Sequence, residues 1–305
     1  MLLVGNQIRL MRPPLASAVN QRFDLLVKTL ARRQVEAGAG WLLVDVGPQR
    51  KNAAEDLAWL VSTIHDEVSI PLVLRSDDPA AMEAGLKAAR DEVLVDATLP
   101  GVADPDPFID LAQRYGSRLA LAASPEGLPR STEERLTLVS DTLLPKAFDA
   151  GLTLDDVYID PLLTALTCDQ PMVPVAVETL QLLKVAAEPV PNTLVHLDDV
   201  ADGVAAAARP YVLQAYLTML LAAGVDALVA DVLDPDLMDV MRVVLERDPT
   251  TSYDRLLLRL FDVTKADVDL DPAAANESDP EQVKLFKTIQ ILDNQVLYAD
   301  SYLRA

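Results

Sequence analysis

The chain has 305 residues, half of them hydrophobic, and its 47 acidic against 26 basic side chains give a formal charge of −21. That charge repels phosphate backbones and anionic lipid surfaces, so no nucleic-acid partner is expected, and no window approaches the roughly eighteen uninterrupted apolar residues of a membrane span. The lone cysteine, Cys168, excludes an intrachain disulfide and a cysteine-built zinc or iron–sulfur site within one chain, and two histidines, His65 and His196, are too few for a histidine-rich metal site.

The N-terminal segment MLLVGNQIRLMRPP reads directly into a strand without a signal-peptide cleavage pattern, so a cytoplasmic location is expected. Short apolar runs then recur, most of them stopping at a polar or charged residue. They are Leu2–Gly5, Trp41–Asp45, Pro71–Arg75, Val93–Asp96, Arg118–Leu121, Val157–Asp160, Thr193–Leu197 and Asp226–Asp231. Stretches with helical spacing lie between them, among them Phe23 to Ala37, Glu55 to Val68, Pro79 to Arg90 and Pro210 to Ala223. Eight strand and helix units predict a (β/α)8 TIM barrel forming one domain over residues 1–305, with no Gly/Ser-rich linker to divide it. The many Ala, Leu and Val residues and few aromatics suit small aliphatic layers inside such a barrel.

Two helix starts are legible. Asp78 can cap a helix with Pro79 at its first position, and Ser131 is followed three residues on by Glu134, as in a capping box. After Asp234 the pattern changes: Leu237 to Phe261 reads as one or two extra helices broken near Asp248-Pro249, and Asp262 to Glu281 reads as an exposed acidic loop. Residues 235–281 are therefore taken as an insertion. Helical spacing returns at Val283, Phe286, Ile289, Leu292, Val296 and Tyr302, so 282–303 is expected to supply the last helix of the barrel.

A TIM barrel gathers the C-terminal ends of its strands at one mouth, so Asp45, Arg75, Asp96, Asp160, Asp199 and Asp231 are expected to face a common cavity. His196, within the seventh strand, reads as a buried hydrogen-bonded side chain before it reads as a base, and Cys168 as an ordinary small residue before a nucleophile.

The strand-end motifs Val44-Asp45-Val46-Gly47-Pro48, Leu94-Val95-Asp96-Ala97-Thr98 and Tyr158-Ile159-Asp160-Pro161-Leu162 stand with a Gly-x-x-Ile start ending at Ile8 and with Glu83-Ala84-Gly85-Leu86-Lys87. In order and spacing they resemble the pterin-binding barrels, most closely the methyltetrahydrofolate:corrinoid/iron–sulfur protein methyltransferases. The resemblance runs from Met1 to about Asp234 and resumes at Phe286 to Tyr302, with Gln295-Val296-x-Tyr298-x-Asp300-Ser301 similar to the family's closing helix. It implies that a pterin such as methyltetrahydrofolate lies in the mouth and that the methyl group passes to the cobalt of a corrinoid held by a partner protein. It also implies a homodimer formed through late helices.

Residue by residue, the resemblance makes Asp160 the strand-six acid that anchors the amino-pyrimidinone edge, where a carboxylate can accept adjacent N–H donors in pairs. Asp96 stands where the family has an amide, and Arg75 where it has an acid. A guanidinium has no acceptor to offer an N–H donor. Asp199 and Asp45 replace amides, and Gln7-Ile8-Arg9 replaces an Arg-Ile-Asn start. Asn6, Arg9, Asp45, Arg75, Asp96 and Asp160 are thus the expected substrate contacts. Asp199, and after it Asp96, are the expected catalytic acids, with pKa values raised by acidic neighbours so that they can protonate the leaving nitrogen.

The same residues admit other readings. The acids and arginines could pair internally in a binding protein that has lost the folate site. Clustered carboxylates could hold Mg2+ or Ca2+, although nearby arginines oppose it, and no metal is assigned. A dihydropteroate synthase is rejected, because strand eight ends Val229-Ala230-Asp231-Val232, without that family's Arg-x-His.

Overall fold

The computed structural model describes residues 1–99, 102, 104–123, 131–186 and 190–299. Eight parallel strands close into one barrel in sequence order. The chain runs β1 (Leu2–Arg9), α1 (Pro13–Asn20), α2 (Asp24–Glu36), β2 (Trp41–Asp45), α3 (Ala53–His65), β3 (Leu72–Arg75), α4 (Pro79–Ala88), β4 (Val93–Ala97), α5 (Asp106–Tyr115) and β5 (Arg118–Ala122). It continues through α6 (Thr132–Leu138), α7 (Leu144–Asp149), β6 (Val157–Asp160), α8 (Met172–Ala186), β7 (Asn192–His196), α9 (Arg209–Ala223), β8 (Ala227–Ala230), α10 (Pro235–Glu246), α11 (Ser252–Ala266) and α12 (Pro280–Leu292). The expected TIM barrel is the fold observed.

Side chains alternate along a strand, and in a closed barrel one set points inward. Val4, Trp41, Leu43, Val73, Leu94, Ala120, Tyr158, Leu194, Ala227 and Val229 form that inner cluster. The outward set, including Leu42, Val44, Leu72, Leu74 and Val95, packs beneath the helices. Two residues above Leu43, Val73, Leu94, Tyr158 and Leu194 stand Asp45, Arg75, Asp96, Asp160 and His196. The charged ring at the mouth is the top layer of the barrel interior, and the strand period alone puts it there. Register places its members at one level, with Arg9 opposite Asp45, Asp45 opposite Arg75 and Arg75 opposite Asp96.

Both helix starts form as expected: Asp78 accepts from the Ala80 amide with Pro79 at the first position, and Ser131 and Glu134 make a reciprocal capping box. The C-terminal third departs from the sequence reading. α10 begins directly after β8, and its Met238 packs against both halves of the outer core. It takes the eighth helical position expected of 282–303, and α11 and α12 are the addition, both packed on α9. α12 ends at Leu292, capped at Asp293, and residues 300–305, which carry the end of the quoted closing motif, lie outside the described residues. Ile289, on the face expected to form a dimer, is 1% exposed and belongs to the core of its own chain.

Gly85, within one of the motifs, lets α4 approach its neighbours. A Cβ there would meet Leu57 Cγ and Leu74 Cδ1 at 2.9 Å, and both leucines are fully buried. Gly85→Ala should therefore destabilise the fold by about 1–2 kcal/mol in denaturant titration, overpacking outweighing the helix-propensity gain of about 1 kcal/mol. A stabilised variant would show that the α3–α4 contact is looser than the structure has it.

Candidate active site in the barrel mouth

The ring is wired as two joined networks. In the first, Arg75 Nε lies 3.4 Å from Asp96 Oδ2 and its Nη1 4.0 Å from Asp45 Oδ2, all three side chains being at most 5% exposed. His196 Nε2 stands 2.9 Å from Asp96 Oδ2, and its Nδ1 faces Arg75 Nη1 at 3.5 Å. A guanidinium only donates, so in the neutral ring Nδ1 accepts and the proton sits on Nε2, pointing at Asp96. The opposite oxygen of Asp96 accepts from the Thr98 amide at 3.0 Å and from its hydroxyl at 2.7 Å.

The second network joins β1 to the short 3-10 turn Leu197–Ala201 that follows β7. Asn6 Nδ2 donates to Asp198 Oδ2 at 2.8 Å, Arg9 Nη1 lies 3.9 Å from the same oxygen, and Arg209 Nη2 lies 3.7 Å from Asp198 Oδ1. Arg9 also reaches Asp199 Oδ1 at 4.0 Å and Asp45 Oδ2 at 3.4 Å, and the latter contact couples the two networks. Asp231 follows β8 and lies within electrostatic reach of Asp198.

A local device recurs at the strand ends. The carboxylates of Asp45, Asp96, Asp160 and Asp231 each accept the backbone N–H two residues on, from Gly47, Thr98, Leu162 and Leu233 at 2.8 to 3.0 Å. These Asx turns explain why Asp can end a strand where the chain must leave the sheet.

The acids divide by environment. Burial would raise Asp96, but its electrostatic interactions with His196 and Arg75 and the hydrogen bonds from His196 and Thr98 overcome it, holding its pKa well below the carboxylate range. Both its oxygens are occupied within the protein. The lowering is opposite in direction to the raised pKa expected of Asp96. Burial opposes the charge on Arg75, yet the surrounding acids, Asp96 foremost, raise its pKa further.

Burial pushes Asp160 up to about 6, against the partial relief of His196 and the Leu162 amide. Among the described residues the one hydrogen bond of its carboxyl is the Leu162 amide on Oδ1, so Oδ2 stands in the mouth uncommitted. Asp198 is also pushed up by burial, partly offset by Arg209, Arg9 and Asn6. Asp199 is more open than these, its side chain 27% exposed.

His196, Thr98, Asp198 and Arg209 belong to the site although the sequence reading did not place them there. His196 carried a usable signal, since it follows Leu194 by two and so shares the inward face. Arg209 sits at the start of α9, and nothing in its sequence context marks it. Among the described residues no group of three or more His, Cys, Asp or Glu side chains is arranged to hold a metal ion.

No protein-family model matches the chain. Over 274 residues it is 24% identical to a methylcorrinoid:tetrahydrofolate methyltransferase of Eubacterium limosum, covering 84% of this chain and 93% of that protein. Its fold is similar to dihydropteroate synthases. The enzyme of Stenotrophomonas maltophilia gives a TM-score of 0.57 at 14% identity, covering 82% of this chain and 94% of that one. That of Thermus thermophilus gives 0.57 at 17%, covering 80% and 92%. The likeness to the methyltransferase agrees with the resemblance carried by the strand-end motifs, and the dihydropteroate synthases share the fold.

Asp160 gives a signed pH prediction. Its folded pKa lies above the ordinary 3.8, so the carboxyl costs nothing below about pH 4 and a growing amount as pH rises through about 6. Asp160→Asn keeps the acceptor for Leu162 and should stabilise the protein by about 3 kcal/mol near neutral pH, with no gain below about pH 4, in urea titrations across that range. A pH-independent effect would contradict the burial argument.

Proposed function

We propose that this chain, as a pterin-binding methyltransferase barrel, moves a methyl group between a tetrahydrofolate-type pterin and the cobalt of a corrinoid carried by a separate partner protein. The observation that carries the reading is Asp160, an inward strand-six carboxyl with one oxygen held by its own turn and the other without a hydrogen bond among the described residues. A carboxylate so placed can accept the paired N–H donors of an amino-pyrimidinone edge. With its pKa near 6 it is mostly ionised at neutral pH and so ready to do this.

The rest of the ring is assigned supporting roles. Arg75 and His196 fix Asp96, which acts on the ligand through them and not by contact. Asp45, Asn6 and Arg9 form the β1–β2 wall. The corrinoid supplies a nucleophilic cobalt in one direction and the methyl group in the other. Transfer from the pterin breaks a bond from carbon to a tertiary amine nitrogen, a poor leaving group until it is protonated. Asp199, the most open acid of the β7 turn, is assigned to polarise that nitrogen, beside Asp198 whose pKa is pushed up. Among the described residues no helix is long and apolar enough to cross a membrane, and we take the protein to act in the cytoplasm. A homodimer remains part of the proposal, on a surface that does not use the buried Ile289.

One observation favours a second reading, a binding protein that has lost the folate site: Arg75 fills the place of the family's strand-three acid and is tied to Asp96 at 3.4 Å. Calorimetry with methyltetrahydrofolate separates the two. The catalytic reading predicts weak but measurable binding by the wild type, reduced at least about tenfold by Asp160→Asn, the worth of one charge-assisted hydrogen bond. The second predicts no heat from the wild type. Arg75→Asp alone would leave three buried acids together, so the acid and amide pair is best restored as Arg75→Asp with Asp96→Asn, which should tighten binding on either reading. Tight binding by the wild type, lost on replacing Arg75, would instead make Arg75 a ligand contact.

A further inference from the structure

Asp160 sits at the foot of a strained turn. The residue two after it, Leu162, has φ of +65°, a left-handed conformation that a leucine side chain disfavours, and it is the Leu162 amide that donates to Asp160 Oδ1 at 2.8 Å. Nothing within the tripeptide Asp160-Pro161-Leu162 accounts for that conformation, and a glycine would take it freely.

The turn is gripped from outside. Arg135, on α6, is 0% exposed, and its Nη1 donates to the Pro161 carbonyl at 2.6 Å and approaches the Leu162 carbonyl at 3.5 Å. A fully buried guanidinium is costly to desolvate, so its placement on two successive carbonyls demands a compensating role. α6 is anchored in turn by the Ser131–Glu134 capping box and by Thr132 Oγ1, which donates to Glu178 of α8 at 2.6 Å. A rigid helix thus holds the far side of the turn while the carboxylate holds the near side.

We propose that Arg135 is a positioning residue: by gripping the Pro161 and Leu162 carbonyls it holds Leu162 in the left-handed conformation, and so keeps one Asp160 oxygen on the Leu162 amide and the other aimed into the mouth. This deepens the proposed function, since it names what aims the pterin anchor, but its geometry does not depend on which ligand enters.

The test reads the Asp160 carboxyl directly, by 13C NMR titration of the full-length protein. Groups that also act on it are His196, Asp96, Arg75 and Tyr216, which the variants leave in place, and the charge of Arg135 itself, so the reversal by Leu162→Gly, and not the shift alone, identifies the grip. The wild type should titrate near 6. Arg135→Met keeps the bulk and removes the grip. Leu162 should then relax, the amide bond be lost, and the pKa rise by about one unit, because a hydrogen bond that favours the ionised form has gone. Adding Leu162→Gly supplies a residue that adopts positive φ unaided and should bring the pKa back toward 6.

Arg135→Lys retains a donor and a charge and should stay near the wild type, which keeps the test decisive if Arg135→Met does not fold. The proposal is overturned if Arg135→Met titrates as the wild type does, or if Leu162→Gly fails to reverse its shift, since a role in packing or charge alone would not be rescued by backbone freedom. It is overturned equally if Arg135→Lys shifts the carboxyl as a wholly ungripped turn would. In parallel, methyltetrahydrofolate affinity should fall and recover with the same variants. If the wild type binds no pterin while the titrations behave as stated, the folate reading fails and the role of Arg135 stands.

Discussion

The constraint on which the site depends is that a closed parallel barrel delivers the last inward residue of every strand to one small ring, where charges must compensate one another or stay neutral. Here the ring is built from Asp45, Arg75, Asp96, Asp160 and His196, all at most 4% exposed. An uncompensated ion in such surroundings costs several kcal/mol, so the division of labour among the acids follows from which of them have a cation or a hydrogen-bond donor in contact. Asp96, beside Arg75 and hydrogen-bonded to His196 and Thr98, has its charge compensated within the protein. Among the described residues the Leu162 amide is the one hydrogen-bond partner of the Asp160 carboxyl, and burial pushes its pKa up to about 6. The same asymmetry makes Asp160 costly to the fold and available to a ligand.

Arg75 shows how one substitution can rewrite such a ring. An acid at its position would offer a second acceptor beside Asp160. The guanidinium instead draws Asp45, Asp96 and His196 into one cluster and fixes the imidazole tautomer. The mouth keeps a carboxyl with one oxygen free of hydrogen bonds among the described residues on its β6 side, and its β2–β4 side is a self-satisfied wall. A ligand entering it would find an acceptor at Asp160 and a mixed acid and arginine surface near Arg9, Asp199 and Arg209.

Much of this was legible in the sequence, because two periodicities carry it. The alternation of strand and helix runs gives the barrel, and the period of two within strands puts Asp45, Arg75, Asp96 and Asp160 on one level once the barrel closes. The Asp78 and Ser131 caps were equally plain, being local chemistry. What failed was what depends on distant contacts. The eighth barrel helix is α10 and not the terminal one, because amphipathic spacing shows that a helix has an apolar face without showing what covers it. The low pKa of Asp96 arises from His196, a hundred residues away in sequence, and acidic neighbours alone suggested the opposite shift. Arg209 and Arg135 act from helices whose local sequence resembles that of any solvent-facing arginine.

The central claim is that Asp160 anchors a pterin in the mouth, and the most direct measurement is a crystal structure of the protein soaked with tetrahydrofolate. The account predicts the amino-pyrimidinone edge facing β6, with its N–H donors at about 2.7–3.1 Å from Asp160 Oδ2 and Asp96 still bound to His196 and Arg75. A pterin seated against Arg75 with Asp160 out of contact, or a mouth left empty at saturating ligand, would contradict it.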